Sequence, residues 1–392
     1  MEKILIIDNF VAIQTCYLSK AMKRLWIISE PFPPDEISTG YIMGEIANTF
    51  ASKYSVSVIC GPEIYDKRKK LDLNNQFILD KSICVYRAKS LGLDKNTIAG
   101  KICSFGVMTW QMISLARKYI CEDDKVLLVT NPATILPFMA WLKKKKGFEL
   151  NVLVHDVFPE NTIPANLKIP CYRLLKHIFD KAYSQADQLI VLGRDMKKVL
   201  GDKTSKYNPE LKINIIENWA DINAIKPQPF PQGRIKIEYA GNIGRLQSLD
   251  KFMEHLPESI EFHIYGTGAM ESALRKRKQA NVYFHGPYYR SQQNSILGDC
   301  HLALVMLQNG MYGLGVPSKT YNILASGRPI IFIGPKDSEI DLLVKENGIG
   351  YSGLPSKWDN ISALEEMGQR ARRLAETRYS KEIILEKIKN AL

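Results

Sequence analysis

The chain has 392 residues, too many for one ordinary hydrophobic core, so two domains are expected. Apolar residues make up 45% and charged residues 24%, which excludes a disordered chain, and no run approaches the ~20 apolar residues that span a bilayer. Lys and Arg outnumber Asp and Glu by 53 to 41, and the resulting +12 favours polyanionic partners such as phosphates, anionic lipid headgroups or nucleic acid.

Residues 1–21 carry Glu2, Asp8 and Asn9 inside an apolar stretch and so make a poor secretory leader. Met22 precedes the run Lys-Arg-Leu-Trp-Ile-Ile-Ser, and the folded part is expected to begin there, with 1–21 as an extension. Short apolar runs then alternate with helix-length segments. Lys23–Ser29, Ser55–Cys60, Lys125–Val129, Leu150–His155, Gln188–Leu192 and Lys212–Ile216 read as buried parallel strands. Between them, 97–120 reads as an amphipathic, aromatic-bearing and weakly basic helix with two open interpretations, a core helix or one lying on a bilayer surface. Asp123-Asp124 reads as a loop before a strand. Thr134 to Leu142, ending in four lysines, reads as a buried helix with a solvated basic end.

Residues 217–233 hold prolines at 227, 229 and 231 and read as a linker between a domain of 22–216 and one of 234–360. The alternation restarts there with Ile235–Ala240, Glu261–Tyr265, Asn281–His285, Leu302–Met306 and Pro329–Ile333, and 361–392 closes the chain with one or two helices. The fold class is therefore α/β, with two doubly wound parallel-sheet domains facing across a cleft where such folds bind ligands. The seven cysteines are scattered, odd in number and without a C-x-x-C pair, which reads as reduced, mostly buried thiols of a cytoplasmic protein.

Three strand ends carry the chemistry. Ile235–Ala240 runs into Gly241-Asn242-Ile243-Gly244-Arg245-Leu246-Gln247, where two glycines allow a tight turn and Arg245 can fork onto phosphate oxygens. Such a loop is equally compatible with a plain turn and a solvated arginine. Glu261–Tyr265 runs into Gly266-Thr267-Gly268, and Asn281–His285 into Gly286-Pro287-Tyr288, beside which a nucleobase could sit. His263 and His285 read as structural histidines. The most informative run is Gly313-Leu314-Gly315-Val316-Pro317-Ser318-Lys319. Here Pro317 and Ser318 start a short helix over Thr320–Ser326, stopped by Gly327. A helix N-terminus offers N–H groups and a partial positive charge to a diphosphate, and Lys319 adds a full charge at the same place.

The run VPSKTYNILASGRPIIFIG resembles the P-S-K-x-Y-x-x-x-A-x-G-x-P signature of bacterial family 4 glycosyltransferases, retaining enzymes of the GT-B fold, and within them a subgroup that assembles surface polysaccharides on lipid carriers. WIISEPFPPDEISTGYIMGEIA, VTNPATILPFMAWL, VLVHDVFPE, ENWAD and IEYAGNIGRLQSLD follow in the family's order, so the likeness covers Lys23 to Gly350. It implies that Thr39 and Gly40 lie under the donor phosphates, that His155 and Asp156 face the transferring sugar, and that Arg245 and Lys319 neutralise the diphosphate. It also places Tyr288 near the base, with Asn242, Gln247, Gly266, Pro317, Ser318 and Tyr321 completing the donor site. The chain departs from the family at Asn322 and Leu314, where many members carry the two glutamates of an acidic pair. Glu339 is the candidate replacement ligand for sugar or ribose hydroxyls.

The expected activity is transfer of a sugar, with retention, from a nucleoside-diphosphate sugar, uridine being the family's usual base. The expected acceptor is a lipid-linked saccharide or oligosaccharide of O-antigen, capsule or exopolysaccharide. No metal and no cofactor is expected, since no Asp-x-Asp triplet appears in the sequence. No nucleic-acid partner is expected either, since zinc-finger spacing and an aromatic–basic RNA-recognition signature are missing. Peripheral contact with the inner face of an anionic membrane fits the positive balance. A nucleotide-sugar 2-epimerase of the same fold and a non-catalytic polyanion-binding protein are the alternatives; the first would need carboxylates and bases around the sugar ring.

Overall fold

The computed structural model describes residues 22–35, 37–63, 77–89, 98–355 and 360–392, with side chains of the helix Ile98–Tyr119 described from 106 onward. The expected extension, 1–21, lies outside the described residues. Two parallel sheets form the framework. The first contains β1 (Arg24–Ser29), β2 (Ser55–Cys60), β3 (Cys84–Arg87), β4 (Lys125–Val129), β5 (Glu149–Val154), β6 (Gln188–Val191) and β7 (Lys212–Ile215), in the order β3-β2-β1-β4-β5-β6-β7. The second contains β8 (Lys236–Ala240), β9 (Glu261–Tyr265), β10 (Val282–Gly286), β11 (Leu302–Met306), β12 (Ile330–Ile333) and β13 (Gly350–Ser352), in the order β10-β9-β8-β11-β12-β13. Every strand pair with a described register is parallel.

The apolar strands become the sheet centres because both of their faces must be covered by helices. Leu25, Ile27, Val126, Leu128, Val152 and Leu189 are buried in the first sheet, and Ile237, Phe262, Leu302, Leu304 and Ile331 in the second. Asp124 holds the start of the first sheet together, accepting from Arg24 Nε at 2.7 Å and Trp26 Nε1 at 2.9 Å, so the Asp123-Asp124 pair is a structural loop. In each sheet the strand order reverses once, between β1 and β4 and between β8 and β11. At such a reversal the two following loops diverge to opposite faces and leave a crevice at the carboxyl ends of the strands.

By contact density the chain divides into two compact units. One comprises Met1–Val154, Lys181–Leu189 and Glu210–Lys212; the other comprises His155–Asp180, Ile190–Pro209 and Ile213–Leu392. The second unit closes with the helices Ile361–Arg378 and Lys381–Ala391, capped by Asn360 and Ser380. Ala220 donates to Tyr379 O at 2.6 Å and bridges to Ser380, which ties the 217–233 segment to those helices.

One helix differs from its expectation. Ile135–Lys146 buries Ile135, Leu136, Met139, Ala140 and Leu142, but leaves Phe138 and Trp141 half exposed, because an apolar helix on one side of a sheet has more apolar surface than the sheet can cover. Of the cysteines described, Cys60 and Cys300 are buried, Cys84 is half-buried, Cys121 and Cys171 are exposed, and all are free thiols. Among the described residues no helix is long and apolar enough to cross a membrane.

Candidate functional site

The reversal between β8 and β11 brings two loops side by side at the carboxyl end of the second sheet. One leaves β8 at Ala240 and carries Gly241, Asn242, Gly244 and the single 3-10 turn Arg245–Gln247; the other leaves β11 at Met306 and leads to the helix Lys319–Ser326. Gln308 N donates to Leu246 O at 2.8 Å and joins them. The next loop along is locked in place by glycine: Gly266 sits at φ +126°, and a Cβ there would lie 1.9 Å from Gly241 O. Only a bare backbone permits that approach, so these two turns form one packed layer.

Lys319 is the first residue of its helix and reaches back across this layer. Its Nζ is buried, sits 3.4 Å from the Tyr239 ring centroid, and would stand 3.2 Å from a Cβ on Gly241. It has no hydrogen-bond partner among the described residues. Burial pushes its pKa down to about 7, against the pull of Glu238. Glu238, 2% exposed in the middle of β8, is itself pushed up to about 7 by burial, against the opposing charge of Lys319. Thr320 Oγ1, Gln308 Oε1 and Glu238 Oε1 are likewise buried without a hydrogen-bond partner among the described residues. Four orphaned polar atoms around one strand reversal are unusual, since buried polar atoms are nearly always satisfied. They are what a polar ligand would satisfy.

The helix tip is open in the same sense. Ser318 occupies the cap position in helical conformation, at φ −61° and ψ −28°, and its hydroxyl makes no capping bond, contrary to the expected Ser cap. The first backbone bonds are Thr320 N to Pro317 O and Tyr321 N to Ser318 O, so the N–H groups of Ser318 and Lys319 meet no acceptor among the described residues. Gly327 ends the helix in left-handed conformation as expected. Arg245 is exposed and makes no hydrogen bond or ion pair among the described residues. Asn242 is exposed, with its carbonyl accepting from Tyr239 Oη at 2.7 Å, and Gln247 Oε1 accepts from Gly244 N at 3.1 Å.

His155 and Asp156 join this loop from the segment after β5. Asp156 bridges to Gly315, and Val157 N donates to Leu314 O at 2.9 Å. A Cβ on Gly315 would stand 3.0 Å from Asp156 Oδ1, so the glycine lets the two segments meet. Asp156 keeps solvent-accessible surface yet is hemmed in by protein, which pushes its carboxyl up to about 6. Burial pushes His155 down to about 4, so its imidazole is neutral at pH 7. Tyr288 stands edge-on to Tyr265, with ring centroids 6.4 Å apart, and its hydroxyl is pushed well up by burial and by the Glu238 charge.

Three expected ligands, Tyr321, Asn322 and Glu339, have partners within the protein. Tyr321 is 1% exposed and packs edge-on against Tyr379 at 5.2 Å. Asn322 spends its amide inside the protein, accepting from Asp221 N at 3.0 Å and donating to Gln293 Oε1 at 3.0 Å. Glu339 is held by Arg194, through Nε at 3.0 Å and the backbone N–H at 2.7 Å. Pro317 sets the helix entry through its carbonyl. Thr39 and Gly40 lie at the start of the helix Ser38–Phe50 in the other compact unit, where a Cβ on Gly40 would stand 2.8 Å from Asp35 O; that contact accounts for the glycine.

Glu238, Gln308 and Thr320 were missed. For Glu238 the signal is legible: an acid in the middle of the apolar run Ile-Glu-Tyr-Ala is costly to bury unless it has a task. His263 and His285 hydrogen-bond each other at 3.0 Å and stack at 5.2 Å on the adjacent strands β9 and β10. Among the described residues no cluster of three or more His, Cys, Asp or Glu side chains could hold a metal ion.

No family model matches the chain. It is 30% identical over 400 residues to the probable glycosyltransferase WbjE of Pseudomonas aeruginosa, across 93% of this chain and 96% of that protein. Among solved structures it resembles TarM of S. aureus in complex with fondaparinux, α-GlcNAc-glycerol and UDP, at a TM-score of 0.64 and 13% identity, over 94% of this chain and 99% of that one. It also resembles WaaG, a glycosyltransferase involved in lipopolysaccharide biosynthesis, at a TM-score of 0.63 and 12% identity, over 94% and 99%.

Proposed function

This chain belongs to the glycosyltransferases, with two doubly wound domains of the GT-B type, and we propose that it transfers a sugar, with retention, from a nucleoside-diphosphate sugar to a saccharide acceptor in bacterial surface-polysaccharide assembly. The observation that carries the donor half is the Lys319 ammonium, buried at an open helix tip with no hydrogen-bond partner among the described residues. A departing diphosphate supplies what that site lacks: negative charge and several acceptor oxygens. The polysaccharide setting is supported by the likeness to WaaG, a glycosyltransferase involved in lipopolysaccharide biosynthesis, and to TarM, seen with α-GlcNAc-glycerol and UDP.

In this reading the anomeric carbon–oxygen bond breaks with its electron pair passing to the β-phosphate. The Ser318 and Lys319 N–H groups, the Lys319 ammonium and Arg245 stabilise the charge where it develops. The acceptor hydroxyl attacks from the face the phosphate leaves, and its proton passes to a phosphate oxygen, so neither a metal nor a carboxylate nucleophile is needed. Neutral His155 and the Asp156 carboxylate orient the sugar hydroxyls beside Gly315. The acceptor is a lipid-linked saccharide or oligosaccharide.

The test is a thermal-shift panel of nucleoside diphosphates and their sugars, followed by product analysis. A selective rise in melting temperature with one diphosphate, and its release only when an acceptor is supplied, are the expected results. Isomerised donor in place of released diphosphate would identify an epimerase. Binding that falls steeply with salt and shows no nucleotide preference would identify a polyanion binder.

A further inference from the structure

Glu238 is a buried acid that phosphate binding alone leaves without a task. It lies in the middle of β8, 2% exposed, in the otherwise apolar run Ile-Glu-Tyr-Ala. Strands on both sides, β9 and β11, fix its backbone, with His263 and Ala303 as its register neighbours. Side chains alternate along a strand, so Ile237 and Tyr239 enter the apolar core of this sheet and Glu238 points to the opposite face. There Cys300 Sγ comes within 3.9 Å of Oε2, but the same thiol lies 3.4 Å from Leu297 O, and Oε1 has no hydrogen-bond partner among the described residues. A carboxyl in this position is costly to bury, and the surrounding structure does not satisfy it.

The groups around it narrow that task. Tyr239 on the same strand, Tyr265 from β9 and Tyr288 from the loop after β10 all feel the Glu238 charge. Burial first, and neighbouring negative charge after it, pushes their phenols up, so all three are neutral. Burial also pushes the Cys300 thiol well up and His263 down, which leaves both neutral at pH 7. Lys319 is, among the described residues, the one cation whose charge bears on Glu238, and Glu238 is the one charge that counters the effect of burial on Lys319. The lysine Nζ lies over the end of the same strand, 3.4 Å from the Tyr239 ring centroid and 3.2 Å from where a Cβ on Gly241 would stand. No hydrogen bond joins the two among the described residues. The carboxylate is therefore near enough to stabilise the positive charge without occupying it, and the ammonium donors stay available to a ligand.

We infer that Glu238 is a positioning residue of the donor site: from its fixed place in β8, its carboxylate favours the ammonium form of Lys319 while leaving the N–H groups free for the departing diphosphate. This rests on the donor reading and adds to it the group that sustains the lysine's charge. The effect is confined to the pH range in which Glu238 is ionised. Burial pushes the Glu238 carboxyl up to about 7, so at pH 6 it is neutral beside a lysine that is charged without help. At pH 8 it is a carboxylate, and it raises the charged fraction of a lysine that burial pushes down to about 7.

The test uses Glu238→Gln, which keeps the shape of the side chain and removes its charge, with UDP as the probe. By titration calorimetry the variant is expected to bind UDP about fivefold more weakly than the wild type at pH 8 and within about twofold of it at pH 6. A fall of about one unit in the lysine's pKa lowers its charged fraction at pH 8 about tenfold, and the lost repulsion between Glu238 and the phosphates recovers part of that. A packing role would weaken binding equally at both pH values, and that result would overturn the inference. Without nucleotide, the Cε signal of Lys319 in lysine-labelled protein, assigned by its loss in Lys319→Met, should titrate about one pH unit lower in Glu238→Gln. By reciprocity the Glu238 carboxyl signal should titrate higher in Lys319→Met, a measurement that stands even where Glu238→Gln does not fold. Midpoints that do not move, in a protein that binds UDP, would overturn the inference. Midpoints that move in a protein that binds no nucleoside diphosphate would instead remove the donor reading, and with it the task given to the pair.

Discussion

Replacing Lys319 by methionine keeps the length and volume of the side chain and removes only its charge. An ammonium about 4 Å from a phosphate oxygen gains about 4 kcal/mol at the effective dielectric of a partly buried site. Against this, protonating a group with a pKa of about 7 takes about 1.4 kcal/mol at pH 8. Drawing the ammonium off the Tyr239 ring forfeits about 1 kcal/mol more. The remainder is about 1.6 kcal/mol, or roughly fifteenfold in the Kd for the nucleoside diphosphate. The same arithmetic predicts proton uptake. Above pH 7 the free lysine is neutral and must gain a proton as the diphosphate binds. Titration calorimetry at pH 8 in two buffers of different ionisation enthalpy should therefore show net uptake in the wild type and less in Lys319→Met. Unchanged affinity together with unchanged proton uptake would refute the reasoning. The apo variant should also melt higher. The folded pKa of Lys319 lies below its unfolded value of 10.5, so its charged form destabilises the fold; that penalty is full below pH 7 and fades as pH rises toward 10.5.

Arg245→Ala is expected to reduce kcat at least tenfold, about 1.4 kcal/mol, with an unchanged melting temperature; near-normal turnover would remove Arg245 from the phosphate site. Gly266→Ala must displace the Gly241 carbonyl at a positive φ, and should lower stability by about 3 kcal/mol in urea titration, whereas wild-type stability would show that the turn layer yields freely. Glu339→Gln weakens the Arg194 pair and should cost about 2 kcal/mol of stability while the nucleotide Kd moves by less than about twofold; a large Kd change with intact stability would return Glu339 to the site. If ionised Asp156 orients the sugar, kcat/KM should fall as pH drops through about 6, and Asp156→Asn should lack that limb in the pH–rate profile.

The two sheets were legible because their central strands are apolar on both faces. β3 and β13 were not, since a four-residue, half-buried edge strand and a three-residue one leave too few apolar positions to form a pattern. In the site, glycine-bearing strand ends were readable because close backbone contact excludes a side chain. Which residues of the helix Lys319–Ser326 face outward was not readable. At about 100° per residue, Tyr321 lies about 160° round from Lys319 and enters the core, whereas Asn322, only about 60° from Lys319, is taken up by Asp221 N and Gln293 Oε1, partners far away in the chain. The pairing of Glu339 with Arg194 was not readable because the two lie 145 positions apart in the chain, beyond the reach of any local pattern. Phe138 and Trp141 were assigned to the core because an apolar run does not reveal how much of it the neighbouring sheet can cover.

The most direct measurement is a crystal structure of the protein with UDP bound. The account predicts the β-phosphate at the tip of the helix Lys319–Ser326, with oxygens at about 2.7–3.1 Å from the Lys319 ammonium and the Ser318 and Lys319 N–H groups. A diphosphate bound elsewhere, with Lys319 still folded over the Tyr239 ring, would contradict it.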